Sequence, residues 1–463
     1  MRRQRQKIVI GLIACVTAVG IIFLAGQSLD RVSAVSRDTY EGLEAFTNVL
    51  AIVQKNYVEE VGTPKLVEGA INGMLGALDP HSAYLTPESY KELQVDTGGS
   101  FGGLGIEITL RDGILTVVSP IEDTPAYRAG LKAGDQIIKI DGQLTKDMTL
   151  VEAVKKMRGP EGSKIVLSIR REGVARFLDF SLAREIIKIQ SVKSHMLEKG
   201  YGYVRLTQFQ DRTSADLENA LTRLNKENGK LEGLVLDLRN NPGGLLSQAV
   251  KVADEFLDSG MIVYTEGRLD NQKQKYFAHP GGYVDLPLVV LVNGGSASAS
   301  EIVAGAMQDH GRGVILGTQT FGKGSVQTIL PLENGAALRL TTAMYYTPNG
   351  RSIQVTGIAP DITLENLTPA QVAAREQREI REENLPGHFN NKKANKPAPN
   401  AKEISTKEGE NNPEGPGNGK EGSTPDSQIK EGELGKDPQL DRALQLLKSW
   451  RVFKTSVAAV QEK

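Results

Sequence analysis

Residues 286–328 read LPLVVLVNGGSASASEIVAGAMQDHGRGVILGTQTFGKGSVQT. The apolar run that ends at Val292 predicts a strand, the small residues after it predict a sharp turn, and the run from Glu301 to His310 predicts a helix. Such a turn exposes the hydroxyl of Ser298 beside the backbone N–H groups of the helix N-terminus. The dipoles of these groups point to where negative charge develops in a tetrahedral intermediate. The stretch therefore indicates a hydroxyl placed for nucleophilic attack.

A purely structural interpretation of the same turn stays open. Ser298 and Glu301 have the spacing of a capping box, in which the serine hydroxyl caps the helix and the glutamate reaches back to the backbone of the serine. In that case Ser298 carries no chemistry.

Lys323, between two glycines, is a candidate base for the serine. Gln327 follows four residues later, so on a strand both side chains share one face and the amide can orient the amine. A free lysine pKa of about 10.4 leaves only about 0.1% of the amine neutral near pH 7.4. Lowering that pKa by about three units costs roughly 4 kcal/mol and requires burial among uncharged groups. Residues 318–327 contain no carboxylate, which fits this requirement; the alternative is an ordinary surface lysine in a glycine-rich turn.

The chain around this stretch alternates strands and helices from about Lys199 onward. Strands are predicted for YGYVRLTQF, LEGLVLDLR, MIVYTEGR and LPLVVLVNG, and helices for SADLENALTRLNKEN and LLSQAVKVADEFLDSG. This order with short connections is typical of an α/β domain. The stretch 240–244, NNPGG, follows one strand and the serine turn follows another. Open α/β sheets place their sites at such strand ends.

A second glycine-rich segment lies upstream, in GGSFGGLGIEITLRDGILTVVSP. The loop Gly102–Gly105 can point backbone N–H groups at an anion, and the strand that follows, Ile106–Thr109, can remain an open edge. Farther along, Leu150, Ala153 and Met157 lie on one face of a predicted helix that can wall a groove. These features suit the capture of a peptide's terminal carboxylate, although a plain hairpin explains the glycines alone.

Composition excludes several classes of function. Lysine plus arginine (55) almost balances aspartate plus glutamate (56), so no overall field favours nucleic acid. Cys15 is the only cysteine and the five histidines are scattered, so we expect neither thiol chemistry nor a metal site, and no cofactor is called for.

The N-terminus predicts a membrane segment. A basic stretch, residues 1–7, precedes an uncharged apolar run, residues 8–26, that nearly spans a hydrocarbon core of about 30 Å. The run is either an uncleaved anchor or a signal peptide cleaved after Ala34, and Cys15 has some features of a lipoprotein site. In each case the rest of the chain works outside the cytoplasm.

The flanks of the folded part are also patterned. Helices are predicted from Asp38 to Tyr57 and from Lys65 to Leu78, as a small bundle or as a dimerisation surface. The tail is predicted to be helical from Leu367 and disordered from Leu385 to Lys436, because the latter region has almost no aliphatic residues. A final helix is expected to bury Leu440, Ala443, Leu444, Leu447 and Trp450, either against the body of the same chain or against a second subunit.

The serine stretch, together with LDLRNNPGG upstream and TPNGRSIQVTGIAPDI downstream, resembles the carboxyl-terminal processing peptidases, or tail-specific proteases. The resemblance covers Thr39 to Leu364. It implies a serine–lysine endopeptidase with Ser298 as nucleophile, Lys323 as general base and Gln327 as supporting amide. It also implies an oxyanion hole formed by the N–H of Ala299 and that of Gly243 or Gly244. The upstream loop then belongs to a PDZ domain that binds C-terminal tails through Gly103, Leu104, Gly105 and Ile106.

The expected architecture is an α+β multidomain chain: an N-terminal helical region, a PDZ domain (β-barrel-like with helices), an α/β core resembling the ClpP/crotonase type, and a disordered tail. The boundaries are 36–95 for the helical region, 96–183 for the PDZ domain, 184–365 for the core, 366–436 for the linker and 437–463 for the C-terminal helical segment. Expected partners are proteins or peptides with free C-termini, the membrane and a second copy of the chain, but not nucleic acid. The expected location is the bacterial cell envelope, or outside the cell in secreted form.

Two other functions compete with this prediction. One is a membrane-anchored PDZ binding protein whose core serves only as a scaffold. The other is a hydrolase with His310 as base, but twelve residues of helix separate His310 from Ser298 by about 18 Å.

Overall fold

The computed structural model describes residues 37–111, 113–365, 380–389 and 431–461. Contacts divide the chain into two compact units, residues 1–73 and 74–463. The helices are α1 (Arg37–Asn56), α2 (Thr63–Gly76), α3 (Pro87–Gly98), α4 (Pro125–Arg128), α5 (Leu150–Met157), α6 (Thr213–Asn228), α7 (Leu246–Asp254), α8 (Ala299–Asp309) and α9 (Pro438–Gln461).

The strands form two groups along the chain, one before the core and one within it. Those up to the start of the core are β1 (Ala83–Leu85), β2 (Ser100–Gly103), β3 (Ile106–Arg111), β4 (Ile114–Pro120), β5 (Gln136–Ile140), β6 (Gln143–Leu144), β7 (Lys164–Arg170), β8 (Leu178–Ala183) and β9 (Glu185–Lys188). Those of the core are β10 (Val192–Glu198), β11 (Tyr201–Leu206), β12 (Gly233–Asp237), β13 (Met261–Gly267), β14 (Lys275–Phe277), β15 (Leu288–Val292), β16 (Val314–Gly317), β17 (Ser325–Pro331), β18 (Ala337–Tyr346) and β19 (Ile362–Thr363).

The first unit contains α1, which matches the helix predicted for residues 38–57. None of its side chains is buried, and Leu43, Phe46 and Tyr57 on the predicted apolar stripe are 55%, 42% and 57% exposed. The helix is therefore correctly predicted, while its apolar stripe stays exposed.

The PDZ region forms its own antiparallel sheet, in the order β3-β4-β5-β7-β8. Helix α5 begins with a capping box between Thr149 and Glu152, and it buries Ala153 and Met157 against the sheet. Among the described strands, β3 pairs only with β4, so its other edge is open. The open strand and the helix thus occur where the sequence predicted them.

The core is built on a sheet in the order β10-β11-β12-β15-β16-β19, in which all neighbours except β10 and β11 run parallel. Every residue of β12 and β15 is buried because both faces of the sheet are covered. Helices α6, α7 and α8 contribute to the apolar cluster on one face, and α9 contributes to that on the other. The carboxyl ends of β12 and β15 therefore lie side by side.

A second sheet, in the order β1-β18-β13-β14 with β17 also on β18, completes the core. Strand β1 lies in the N-terminal region, yet it pairs antiparallel with β18, with Ala83 opposite Arg339. The region predicted as a separate helical segment up to residue 95 therefore contributes a strand to the catalytic core.

The C-terminal segment buries an apolar face, as predicted, and of the two partners left open by the sequence it uses the core of its own chain, with two differences from the prediction. Leu440, Ala443, Leu444 and Leu447 are buried, but Trp450 is 57% exposed because the apolar contact with the sheet ends one turn earlier. Ordered chain also begins before Lys436: Glu431 pairs with Arg205 at 2.9 Å. Residues 8–26, 366–379 and 390–430, which include the predicted anchor and most of the predicted linker, lie outside the described residues. No helix within the described ranges is long and apolar enough to cross a membrane.

The docking of α9 is open to a stability test. Leu447→Ala removes a side chain that is 3% exposed and should lower the free energy of unfolding by about 2 to 4 kcal/mol. Trp450→Ala, at an exposed position of the same helix, should change it by less than about 0.5 kcal/mol. Urea unfolding of both variants is the measurement. Equal effects would show that the helix does not use this face.

Candidate active site

Ser298 lies in the turn that joins β15 to α8. Its backbone has φ 54° and ψ −112°, a region that non-glycine residues seldom adopt. The turn is fixed from both sides: Ser296 Oγ donates to the Leu238 carbonyl at 2.8 Å, and the N–H of Ala297 donates to the Asn241 carbonyl at 3.0 Å. A strained residue held by surrounding hydrogen bonds is typical of a functional position.

The hydroxyl of Ser298 does not cap α8. Of the two hydrogen bonds in the predicted capping box, only the one to the glutamate side chain is present: Glu301 Oε2 accepts the Ser298 N–H at 2.7 Å. The hydroxyl lies instead beside the phenol of Tyr345, whose pKa is raised to about 12 by burial. Glu301 thus positions the backbone of Ser298 and leaves its side chain available.

Glu301 is fully buried and joins two segments. Its Oε2 also accepts the Lys323 N–H at 2.9 Å, and its Oε1 accepts the Gly322 N–H at 2.7 Å and the Thr320 hydroxyl at 2.5 Å. Because the Ser298 and Lys323 N–H groups share one oxygen, their nitrogens lie within about 6 Å of each other. Burial raises the pKa of Glu301 to about 7, and the four donors oppose this rise by stabilising the carboxylate.

The loop that carries Lys323 is held at three consecutive N–H groups. Gly322 and Lys323 donate to Glu301, and Gly324 donates to Gln354 Oε1 at 2.9 Å. The flanking glycines are sterically required: a Cβ on Gly322 would come within 2.8 Å of the Val355 carbonyl, and one on Gly324 within 2.4 Å of the Gln354 nitrogen. Only residues without a Cβ therefore permit this close approach of the backbone.

The pKa of Lys323 lies below its ordinary value, chiefly because burial disfavours the ammonium and also because Arg339 repels it. Glu382, Glu301 and Asp79 act in the opposite direction. The sequence around Lys323 contains no carboxylate, but folding brings these three from distant segments. Burial and Arg339 outweigh them.

The regular strand that the sequence analysis assumed between Lys323 and Gln327 is not present. Strand β17 begins at Ser325, after Lys323, and a bulge between Val326 and Gln327 interrupts the two-residue alternation. The Gln327 amide donates to Ser325 Oγ at 2.9 Å and to Thr341 Oγ1 at 3.4 Å. Its role toward the amine of Lys323 stays a prediction.

The loop after β12 supplies the second group of backbone donors. Gly243 packs against the serine turn, since a Cβ on it would come within 2.9 Å of Ser298 Cβ and 3.0 Å of the Ala299 nitrogen. The N–H of Gly243 donates to Asn241 Oδ1 at 2.9 Å. The N–H groups of Gly244 and Ala299 have no acceptor in the part of the chain that the structure describes. The geometry thus distinguishes two glycines that the sequence could not.

Three polar residues that the sequence analysis did not single out surround the lysine loop. Glu382, fully buried, accepts from Gln354 Nε2 and pairs with His81 Nε2, each at 2.8 Å. Asp79 Oδ2 accepts the Ser82 hydroxyl at 2.6 Å, and its Oδ1 accepts the Thr341 hydroxyl at 3.1 Å. The sequence analysis ended the second predicted helix at Leu78, just before Asp79, and placed Glu382 in the tail, so local pattern did not indicate that either carboxylate approaches Lys323.

Other candidate features lie apart from Ser298. His310 caps the far end of α8, and its Nε2 contacts the Met261 carbonyl at 2.7 Å. A cavity of about 840 Å³ lies beside β9, β10 and α6, whereas a smaller one of about 400 Å³ is bounded by residues 341–344, Gln354 and Phe389 near the lysine loop. No group of side chains within the described ranges has the composition of a metal site.

The PDZ loop has the form expected of a carboxylate site. The Leu104 carbonyl accepts from the Ala126 N–H at 3.0 Å and the Gly105 carbonyl from the Ile121 N–H at 2.8 Å, so both carbonyls are engaged. The N–H groups of Leu104 and Gly105 have no acceptor among the residues the structure covers. Gly105 has φ 74°, and a Cβ there would come within 2.4 Å of Thr124. Gly103 ends β2 and Ile106 begins β3.

Comparison with known families gives three matches. Residues 200–364 match peptidase family S41, residues 116–171 match a PDZ domain, and residues 23–89 match the N-terminal domain of the activating protease CtpB. These segments follow the order predicted from the sequence.

Individual relatives agree with the family models. A carboxy-terminal-processing protease of Bartonella bacilliformis is 48% identical over 378 residues, which cover 80% of this chain and 87% of the relative. The carboxy-terminal processing protease CtpA of Bacillus subtilis is 36% identical over 369 residues, with 79% and 78% covered. The solved structure of a photosystem II D1 C-terminal processing protease is 31% identical, covers 77% of this chain and 100% of that one, and has a TM-score of 0.41.

These relatives do not favour a scaffold without catalysis. The chain has a PDZ domain and an S41 core, and its similarity to processing enzymes extends over about four-fifths of its length. It therefore belongs to the carboxy-terminal processing proteases of peptidase family S41 and is a serine-type peptidase that acts on protein substrates.

Proposed function

We propose that Ser298 is the nucleophile of this peptidase and that neutral Lys323 is its general base. The observation that carries the proposal is the buried carboxylate of Glu301, which binds the backbone N–H groups of both residues. Activation of a serine hydroxyl requires a base with a lowered pKa and a fixed position of that base near the hydroxyl. Burial lowers the pKa of Lys323, and Glu301 binds its loop to the turn that carries Ser298.

The reaction then proceeds in two stages. Lys323 takes the proton of the Ser298 hydroxyl as Oγ attacks the scissile carbonyl carbon, and the resulting ammonium donates that proton to the leaving amine as the C–N bond breaks. A water molecule next attacks the acyl-enzyme while Lys323 again accepts a proton, and Ser298 leaves as the hydroxyl. Gln327 is proposed as a supporting amide that acts through Ser325 and Thr341 rather than on the amine directly.

The oxyanion of both tetrahedral intermediates is stabilised by backbone N–H groups. We assign Ala299 and Gly244 to this role, because both N–H groups lack an acceptor among the described residues and that of Gly243 donates to Asn241. Gly243 serves instead as the contact that lets the loop approach Ser298.

The PDZ domain is proposed to hold the free C-terminus of the substrate. The unpaired N–H groups of Leu104 and Gly105 are placed for the terminal carboxylate, and the open edge of β3, from Ile106, is placed for strand addition by the tail. Gly103, the last residue of β2, directly precedes this loop.

The proposal extends to the setting of the enzyme. The apolar residues 8–26 would hold it at a bacterial membrane with the catalytic part outside the cytoplasm, or release it if cleavage follows Ala34. The exposed apolar stripe of α1 supports a homo-oligomer. We further propose a core of the ClpP/crotonase type.

The catalytic pair predicts that its members fail together. Ser298→Ala, Lys323→Ala and the double variant should each lower kcat/KM by roughly 10⁴-fold or more, because each disables the same step. Lys323→Arg should be equally inactive, since guanidinium remains protonated. Mass spectrometry of the cleavage products of a loosely folded protein provides the assay. Retained turnover in Lys323→Ala with loss in His310→Ala would instead establish the histidine mechanism.

The charges around Lys323 predict opposite shifts of the pH–rate profile. Activity should rise with pH as Lys323 loses its proton. Arg339→Gln removes a group that lowers the lysine pKa, so the midpoint should move to higher pH; Glu382→Gln removes a group that raises it, so the midpoint should move to lower pH. The profile of kcat/KM from neutral to alkaline pH is the measurement. Shifts of the same sign in both variants would exclude Lys323 as the titrating base.

Tail recognition predicts a preference for free carboxyl termini. Amidation of a substrate's C-terminus weakens a charge-assisted hydrogen bond of about 1.5 to 3 kcal/mol, so kcat/KM should fall by about tenfold or more. Gly105→Ala, which places a methyl group against Thr124 and strains the loop, should reduce this discrimination. Two peptides that differ only at the terminus are compared in competition. Equal kcat/KM for both in the parent enzyme would refute the role of the PDZ loop and leave the chemistry of Ser298 untouched.

A further inference from the structure

Arg239 is a buried cation that the proposed chemistry does not use. It follows β12 by two residues, is 1% exposed, and directly precedes the loop 240–244 that packs against Ser298. A charge so deeply buried is strongly destabilising unless each of its donors finds an acceptor.

All five N–H bonds of the Arg239 guanidinium have acceptors. Asp237 accepts from Nε at 3.0 Å and from Nη2 at 2.7 Å. The remaining acceptors come from about two hundred residues later in the chain: Asp437 accepts from Nη1 at 3.0 Å and from Nη2 at 2.7 Å, and Gln439 accepts from Nη1 at 3.0 Å. More than half of the hydrogen bonds of Arg239 therefore depend on the C-terminal segment.

Asp437 also fixes the start of α9. Its Oδ1 accepts the Leu440 N–H at 3.1 Å, the arrangement of a helix N-cap, and its Oδ2 accepts the Gly432 N–H at 2.9 Å. The side chain is 0% exposed. One carboxylate thus joins the first turn of the C-terminal helix to the guanidinium.

The same segment reaches the next residue of the oxyanion loop. Glu431 accepts from Asn240 Nδ2 at 3.2 Å and pairs with Arg205. Asn240 has φ 56°, and its N–H donates to Asn293 Oδ1 at 2.9 Å. The Asn241 side chain that follows accepts the N–H of Gly243. The loop is therefore held on its outer side by residues 431–439 and on its inner side by the serine turn.

We infer that Asp437 and Glu431 are positioning residues for catalysis: through Arg239 and Asn240, the C-terminal segment holds the loop 240–244 so that the Gly244 N–H is aimed at the oxyanion. This inference rests on the proposed oxyanion hole. It makes docking of α9 a condition for turnover.

An anchoring role alone does not account for these charges. Leu440, Ala443, Leu444 and Leu447 already hold α9 on the sheet, and replacing a buried ion pair by apolar side chains is often neutral or stabilising. A two-pronged guanidinium–carboxylate contact adds fixed geometry, which apolar packing supplies less well. The guanidinium–carboxylate contact lies next to the loop 240–244, and displacement of the Gly244 N–H donor in that loop would reduce the rate.

The test compares Asp437→Asn with Asp441→Asn in the full-length enzyme. Asparagine still caps a helix but no longer neutralises Arg239. The Asp441 side chain, by contrast, accepts from the Gly435 N–H of its own segment at 2.9 Å and from no other group in the described part of the chain. We expect Asp437→Asn to lower kcat by roughly 10- to 100-fold with KM within about threefold, less than the 10²- to 10³-fold loss on removing an oxyanion donor. Asp441→Asn should retain parent kinetics. Glu431→Gln, at a partly exposed position, should lower kcat by a smaller factor in the same direction.

A second readout separates positioning from stability. A peptide boronate forms a tetrahedral adduct with the active serine, and its affinity should fall in Asp437→Asn by the same factor as kcat. Binding of the matching uncleaved peptide, measured in the Ser298→Ala background, should not change. A lower melting temperature with parent kcat per folded enzyme would overturn the inference. If Asp437→Asn does not fold, an unchanged kcat and boronate affinity in Glu431→Gln would overturn it equally. Failure of the proposed function itself would be distinct, because the parent enzyme would then form no adduct at Ser298.

Discussion

The buried carboxylate of Glu301 is the interaction on which the arrangement of the active site depends. It accepts four hydrogen bonds, from the turn that carries Ser298 and from the segment that runs from Thr320 to Lys323. A buried acid is costly unless its oxygens are satisfied, and here the donors that satisfy it belong to the two loops that must meet. The same cluster explains why the capping-box spacing of Ser298 and Glu301 and a catalytic role for Ser298 are compatible: the glutamate binds the backbone of the serine, and the hydroxyl points toward Tyr345.

Opposing electrostatic effects determine the pKa of Lys323, the proposed general base. Burial and Arg339 lower its pKa, while Glu382, Glu301 and Asp79 raise it. The sequence analysis required only burial among uncharged groups to lower the pKa of Lys323. The site instead contains three carboxylates that raise this pKa, and burial and Arg339 outweigh their effect. Hydrogen bonds from His81 and Gln354 lower the pKa of Glu382 despite the opposing effect of burial. The ionisation of the base is therefore coupled to segments that lie far apart in the chain, around residues 79–82 and 381–384.

Much of the fold followed from local pattern, and the exceptions have a common cause. The apolar runs of β12 and β15, the helix from residue 299, and the glycines around Lys323 are local features, and the structure contains each of them. The sequence could not show that β1 joins β18 or that Glu382 packs against the lysine loop, because such pairings depend on which distant segments meet. The regular strand assumed from Lys323 to Gln327 is not present, because β17 begins at Ser325 and a bulge follows Val326. The choice between Gly243 and Gly244 required the side-chain hydrogen bond of Asn241, which periodicity does not reveal.

These long-range contacts have a consequence for how the enzyme becomes active. The N-terminal segment reaches the lysine loop through Asp79 and His81, and the C-terminal segment reaches the oxyanion loop through Asp437 and Glu431. Each catalytic loop is short and contains glycines or a positive-φ residue, so it has little intrinsic preference for one conformation. External contacts must therefore select the conformation, and they form only after residues 79–82 and residues 431–439 have packed on the core. A partly folded chain would lack the fixed geometry that peptide-bond cleavage needs, which couples proteolytic activity to completion of the fold.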